Sequence, residues 1–166
     1  MNTSVFVCLI TLLLVSAAAL ADCPRVPDQE DDRRANAGCL IVEGDKVLLL
    51  THRLNGKLGV PGGTLKKGEW AQCTAYRETL EESGLAVTVG ERVQVMKNGF
   101  HLYRCYPNAI PETLTVPVSG KWEVSDLGWY ALDQLQQDDW RFPYQFDLFV
   151  ETVRPLLSSP QSAEPR

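Results

Sequence analysis

The stretch that most restricts how this chain can fold runs from Pro61 to Gly84, where a glycine-rich loop feeds a segment crowded with acids. Residues 55–68 are loop-like, with Pro61-Gly62-Gly63 at their centre, and residues 69–83 contain neither glycine nor proline. That pattern predicts a helix over 69–83, closed by Gly84 just past its C-terminus. Glu78, Glu81 and Glu82 stand at i, i+3 and i+4 and so share one helical face. With Glu78 as zero, Glu82 lies near about +40° and Glu81 near about −60°. Like charges so placed cost the helix a few tenths of a kcal/mol, roughly what an opposite pair would contribute.

The neighbours of the acids suggest what offsets that cost. Ala71 and Ala75 fall at about +20° and +60°, so the face is smooth beside its carboxylates and another layer can approach closely. Cys73, Tyr76 and Leu80 fall between about 160° and 220°, which predicts an apolar side to bury there. Taken alone, three acids on a helix also describe a solvated face. Held against a loop they can bind a hard cation through oxygen, and the freedom of Gly62 and Gly63 lets a main-chain carbonyl turn toward them as a further ligand. Glu69 precedes Arg77 by eight residues, about 12 Å along a helix, so an ion pair between them requires Glu69 to fold back from the loop. A favourable charge at the helix N-terminus is the other reading of Glu69.

Strands are expected at 39–42 and 47–51 around Glu43-Gly44-Asp45, and at 86–96 and 100–106 as a hairpin around Lys97-Asn98-Gly99. Further short strands are expected at 114–118 and 127–131, then a C-terminal helix over 145–154 stopped by Pro155. Pro24 to Arg34 is polar and suits a solvated lead-in. His52, Arg53, His101, Tyr103, Trp129 and Phe142 are candidates to line a pocket that stacks a base or holds a sugar.

Residues 1–21 carry no Asp, Glu, Lys or Arg, and the apolar run from Val5 to Leu20 ends in Ala19-Leu20-Ala21. It is short for a bilayer span and reads as a cleavable secretory signal, with an uncleaved membrane anchor, or lipidation at Cys23 after Leu20-Ala21-Asp22, as the alternatives. The expectation is a periplasmic or secreted protein with no stable membrane insertion once the signal is removed. Four cysteines then remain, Cys23, Cys39, Cys73 and Cys105. They allow three disulfide pairings, among which the sequence does not choose; free buried thiols are the alternative. The organisation expected is a signal at 1–21, a polar segment at 22–35, a single domain at 36–157 and a disordered tail at 158–166. With 16 Lys and Arg against 21 Asp and Glu, a net charge of −5, the chain lacks the basic footprint of a nucleic-acid binder. No feature of the sequence sets an oligomeric state.

Gly63, five residues, Glu69, seven residues, then Arg77-Glu78-Thr79-Leu80-Glu81-Glu82-Ser83-Gly84-Leu85 resembles the signature box of the Nudix hydrolases. Thr79 is the one departure, standing where the pattern prefers a bulky aliphatic residue. Leu58 to Gly63 looks like the strand and loop that enter this box, and Gly128 to Leu132 resembles the late strand of the family. The resemblance implies an α/β fold, an α/β/α sandwich around a mixed β-sheet, and metal-dependent hydrolysis of a nucleoside diphosphate linked to another group X. The partner implied is a small-molecule pyrophosphate substrate, not a nucleic-acid polymer. It further implies that Glu78, Glu81 and Glu82 bind Mg²⁺ or Mn²⁺, with Gly62 or Gly63 adding a carbonyl and with Glu69 and Arg77 as parts of the same machinery. The general base varies within the family, so a box glutamate is expected, with Glu123 as the distal candidate and Asp126 and Glu112 behind it. A Nudix-like module that binds a phosphorylated ligand without cleaving it is the alternative.

Overall fold

The computed structural model describes residues 23–157. The expected signal at 1–21 and tail at 158–166 lie outside the described residues. Eight strands and two helices follow in the order β1 (Ala37–Leu40), β2 (Val42–Glu43), β3 (Lys46–His52), β4 (Leu58–Gly59), β5 (Gly62–Gly63), α1 (Ala71–Ser83), β6 (Val87–Val95), β7 (His101–Pro107), β8 (Val124–Ala131) and α2 (Phe146–Leu157). One sheet has the order β5-β1-β7-β6, with β1 and β7 parallel and the other pairs antiparallel. In the second sheet β3 pairs antiparallel with β8 along one edge and with β2 and β4 along the other.

Side chains alternate across a strand, and here the alternation sorts the core into two layers. Ala37, Cys39 and Ile41, with Tyr103 and Cys105 of β7, pack with Ala71 and Ala75 of α1. Leu40, Val42 and Leu102 point the other way and pack with Phe149 and Val153 of α2. Strands covered on both faces read as continuous apolar runs, which is why residues 39–42 and 47–51 are apolar without alternation. The result is the expected mixed α/β sandwich.

Helix α1 buries Cys73 as expected and seats its Ala71 and Ala75 side on the sheet, but it leaves Leu80 partly exposed. Its buried residues include Ala71, Gln72, Ala75, Thr79, Glu82 and Ser83, while Leu80 is 39% exposed. Small side chains let the helix axis come close to the sheet, and that close approach outweighs burial of the larger Leu80, while Tyr76 packs at the edge of the same core. Thr79 is fully buried, and its hydroxyl has no hydrogen-bond partner. The helix starts at Ala71, two residues later than expected, because the Ala71 amide donates to the Arg33 carbonyl at 2.8 Å. It ends as expected, with Gly84 at φ 73° donating its amide to the Leu80 carbonyl at 3.0 Å.

Three further expectations are corrected. Residues 114–118 form no strand. Pro117 falls inside this run and has no amide to give a ladder, and Leu114 and Val116 instead cover Leu50, Val124 and Leu127. Helix α2 carries Pro155 inside it and continues to Leu157; packing of its apolar face outweighs the proline's preference to end a helix.

The segment before β1, expected to be a solvated lead-in, is a strap. Val26 donates to the Val89 carbonyl and Val89 to that of Pro24, both at 2.9 Å. The fully buried Gln72 accepts from the Asp31 amide at 2.8 Å and donates to the carbonyls of Gln29 at 3.0 Å and Gly90 at 2.8 Å. Disulfides join Cys23 to Cys73 and Cys39 to Cys105. The first fastens the strap to α1 and the second joins neighbouring strands of the sheet.

Two stability measurements follow. Replacing Cys23 and Cys73 together by Ala should cost about 2–4 kcal/mol in urea unfolding. Thr79→Val keeps the shape and removes the unpartnered hydroxyl, and should add about 1 kcal/mol in the same assay.

Candidate active site

Arg77 organises the acids. Its Nε and one terminal nitrogen donate to the two oxygens of Glu69 at 2.9 and 3.0 Å, a bidentate pair. The other terminal nitrogen reaches Glu78 at 2.7 Å and Glu81 at 3.3 Å, and a further bond goes to the Thr64 carbonyl at 2.9 Å. Glu69 does fold back from the loop, outside the helix, so the ion pair with Arg77 is realised. It is held there by the Lys66 amide and the Thr74 hydroxyl, each at 3.0 Å. Burial alone would raise its pKa; the bonds from Arg77, Lys66 and Thr74 outweigh that and bring it below the ordinary carboxylate value. Burial would likewise depress Arg77, but Glu69 and Glu78 raise it further above its usual value.

Glu82 sits on the inward side of the same ridge, 3% exposed, and accepts the Gly62 amide at 2.7 Å. Burial pushes its carboxyl up to about 8 against that hydrogen bond; the charges of Glu78 and Glu123 add to the rise and Arg141 opposes it. Gly62 thus meets the ridge through its N–H. Gly63 lies under Glu78, and a Cβ there would fall 2.6–2.8 Å from the carboxylate. On the other side a Cβ at Gly62 would meet the Ala37 carbonyl at 2.7 Å and Phe100 at 2.8 Å. The two glycines are therefore required by close approach, of a carboxylate in one case and of a neighbouring strand in the other.

Glu78, Glu81 and Glu82 share the ridge, but each turns to a protein partner: Arg77 for the first two, with Lys66 3.5 Å from Glu81, and Gly62 for the third. Among the described residues no three acids, histidines or cysteines converge on one point. The donor set still fits a hard divalent cation: carboxylate oxygens on one face, one of them buried with like charges nearby.

Glu123 acts on Glu82 from the loop before β8. That loop packs tightly on the end of α1: a Cβ at Gly120 would meet the carbonyls of Glu81 and Glu82 at 2.8 and 2.9 Å, and the Ser119 hydroxyl donates to the Glu81 carbonyl at 2.8 Å. Arg53 staples it, donating through its side chain to Lys121 at 2.6 Å and Val124 at 2.9 Å, and through its amide to Glu123 at 2.8 Å. Asp126 turns onto the Leu127 amide at 2.9 Å, and Glu112 is exposed in the irregular stretch.

A cleft opens beside the ridge, walled by Gly59, Val60 and Gly62, by Met96, Asn98 and Phe100 of the β6–β7 hairpin, and by the segment from Trp140 to Phe149. Of the six proposed pocket residues it receives His52 and Phe142. Arg53 is the staple just described, Tyr103 is buried with its hydroxyl on Asp31 at 3.0 Å, His101 lies near Tyr103, and Trp129 pairs with Leu48 across the second sheet. His52 is 8% exposed and its pKa falls to about 4, first through burial and then through Arg141, whose guanidinium lies 3.3 Å from its Nε2. Sequence reasoning missed Arg141, Asn98 and Gln145. Asn98 was read only as a hairpin turn residue, and Arg141 and Gln145 are single polar residues with no motif to mark them as cleft lining.

Known proteins resemble this chain in sequence and fold. The family model described as NUDIX domain matches residues 32–148. A MutT-like protein of Streptomyces ambofaciens is 29% identical over 96 residues, 54% of this chain and 62% of the relative, so the match spans less than two thirds of that protein. Among solved structures, a NUDIX hydrolase from Nitrosomonas europaea aligns with TM-score 0.60 at 21% identity, over 79% of this chain and 76% of that one. An ADP-ribose pyrophosphatase from Streptococcus suis aligns with TM-score 0.55 at 20% identity, over 73% and 92%. A UDP-X diphosphatase aligns with TM-score 0.58 at 19% identity, over 76% and 66%. These likenesses are of fold.

The state of Glu82 gives a pH signature. The folded protein keeps its proton up to about pH 8, whereas the unfolded chain releases it near 4.5, so this residue lowers stability as pH rises through that window. In EDTA, Glu82→Gln should be more stable than the parent above pH 8 by on the order of a few kcal/mol, with the gap closing toward about pH 5. Denaturant titrations at several pH values check this; a gap independent of pH would refute it.

Proposed function

The chain belongs to the Nudix hydrolase family, and from that premise we propose that it is an exported, metal-dependent pyrophosphohydrolase that cleaves the diphosphate linkage of a nucleoside diphosphate joined to a group X. The observation that carries this reading is the ridge itself: Glu69, Glu78 and Glu81 gathered on one buried-edge arginine, with Glu82 sealed behind them. A solvated acidic face needs no such bracing.

Glu78, Glu81 and Glu82 would hold Mg²⁺ or Mn²⁺, with a Gly62 or Gly63 carbonyl as a further ligand. A divalent ion bound there supplies Lewis-acid polarisation of the phosphoryl oxygens and lowers the pKa of water. The protein does the rest. Arg77 holds two carboxylates in place, and Gly62 orients the third. Water attacks phosphorus in line, the bridging P–O bond breaks, and a phosphorylated fragment leaves. The proton of the attacking water passes to a box glutamate or to Glu123. Glu123 is positioned from outside the helix by the Arg53 staple.

Two disulfides are in keeping with an oxidising compartment, periplasmic or extracellular, and support export. Among the described residues no helix is long and apolar enough to cross a membrane. The second reading, a phospholigand-binding module without catalysis, is disfavoured by a box that keeps every charged position, since binding alone needs no base.

A panel of nucleotide sugars, dinucleotides, dinucleoside polyphosphates and lipid-linked pyrophosphates, assayed with Mg²⁺ or Mn²⁺ and again in EDTA, tests the proposal. At least one compound should release phosphorylated product only with metal, and Glu78→Gln should lower kcat by about 10²-fold or more. Binding without turnover would favour the module. Glu123→Gln decides the base: if Glu123 accepts the proton, kcat falls, KM holds, and the acid limb of the pH–rate profile disappears.

A further inference from the structure

Gln145 is 2% exposed, and its side-chain oxygen has no hydrogen-bond partner. Buried polar atoms are almost always paired. Among the described residues the other buried side-chain polar atoms without a partner are the oxygens of Gln29 and Thr79, and of the three residues Gln145 alone lines the cleft beside the acid ridge. Its backbone is pinned, the amide donating to the Phe142 carbonyl at 2.9 Å, so the side chain is presented from a fixed point.

The rest of the wall says what kind of ligand would satisfy it. Trp140, Phe100 and Phe142 give aromatic and apolar surface. Asn98 has its oxygen taken by the Phe100 amide at 3.2 Å, which leaves its amino group as a donor. Arg141 lies on the same wall with its guanidinium 5.3 Å from the centre of the Phe142 ring, and its charge acts on Glu82. Aromatic walls, a carboxamide offering an acceptor beside a donor, and a cation on the side of the ridge suit a planar heterocycle bearing an N–H next to a ring acceptor or carbonyl. An acyl chain leaves the carboxamide unanswered, and the aromatic walls suit a planar ring better than a sugar.

We propose that Gln145 is the residue that reads the base of the substrate, its carboxamide pairing with the hydrogen-bonding edge of a nucleobase held in this cleft. The proposal deepens the hydrolase reading and rests on it for the position of the phosphates. The Gln145 oxygen is sealed from solvent, and the terminal torsion of a glutamine is soft, so a bound base gains its partner by a turn of the carboxamide with no shift of the main chain.

Binding without metal separates this inference from the hydrolase reading. AMP, GMP, CMP, UMP and ribose 5-phosphate are titrated in EDTA by calorimetry into the parent protein and into Gln145→Met and Gln145→Leu, with melting curves for all three. At least one mononucleotide should bind the parent 10-fold or more tightly than ribose 5-phosphate. Both variants should lose that preference, keep the affinity for ribose 5-phosphate, and melt no lower than the parent, because an unpartnered polar group has been removed. A preference that survives in either folded variant overturns the proposal, and so does a parent that does not distinguish mononucleotides from ribose 5-phosphate. So does a large loss of melting temperature in both variants, which would mean that the carboxamide is paired within the protein. Absence of metal-dependent turnover with base binding intact would instead sink the hydrolase reading.

Discussion

Everything at the ridge depends on one guanidinium. Three glutamates on a single helical face repel one another, and a fourth acid, Glu69, is brought in from the loop to join them. Arg77 answers that charge with its planar fork, bidentate on Glu69 and bridging Glu78 and Glu81, and its last bond fastens Thr64 of the glycine loop to the helix. A lysine would supply the charge without the geometry, because a point charge cannot meet two carboxylates and a carbonyl in fixed directions. The partly buried setting matters as well: the pairs with Glu69 and Glu78 are largely sheltered from water, so they are stronger than surface ion pairs of the same composition.

Close approach is the second condition, met by leaving side chains out. Ala71 and Ala75 seat the helix on the sheet, Gly63 admits the carboxylate of Glu78, and Gly120 brings the loop carrying Glu123 onto the carbonyls at the end of α1. A methyl group at either glycine would push apart the pieces that concentrate negative charge. That concentration has a cost, visible in the raised proton affinity of Glu82. The N-terminal strap helps to contain it. Gln72, buried and fully bonded, and the bridge from Cys23 to Cys73 hold α1 from the side away from the loop.

Much of this was legible in residue order. The helix, its glycine stop, the hairpin around Asn98 and the common face of the three acids follow from local rules about propensity and spacing. So does the possibility of the pair between Glu69 and Arg77, which the sequence could pose only as a condition on the loop. Errors cluster where packing overrides a local preference. Leu80 was expected to be buried and is partly exposed, because the small face of the helix wins the sheet. Pro155 was expected to end α2 and stays within it. Residues 114–118 look like a strand in isolation, yet no neighbouring edge receives them. Arg53, weighed as a pocket residue, is a staple for the loop that places Glu123.

By itself, then, the order of residues determined the chemistry on offer: a face of carboxylates, a cation eight residues from its partner, glycines where a main chain must come close, and four cysteines able to bridge. These are short-range properties, set by helical period and side-chain type. Which cysteines pair, which side of α1 faces the sheet, how Glu123 comes to act on Glu82, and that Arg141 and Gln145 share a wall beside the ridge were decided only by the tertiary structure. Those facts join segments tens of residues apart, and only the two-layered packing of the sheets brings such segments together.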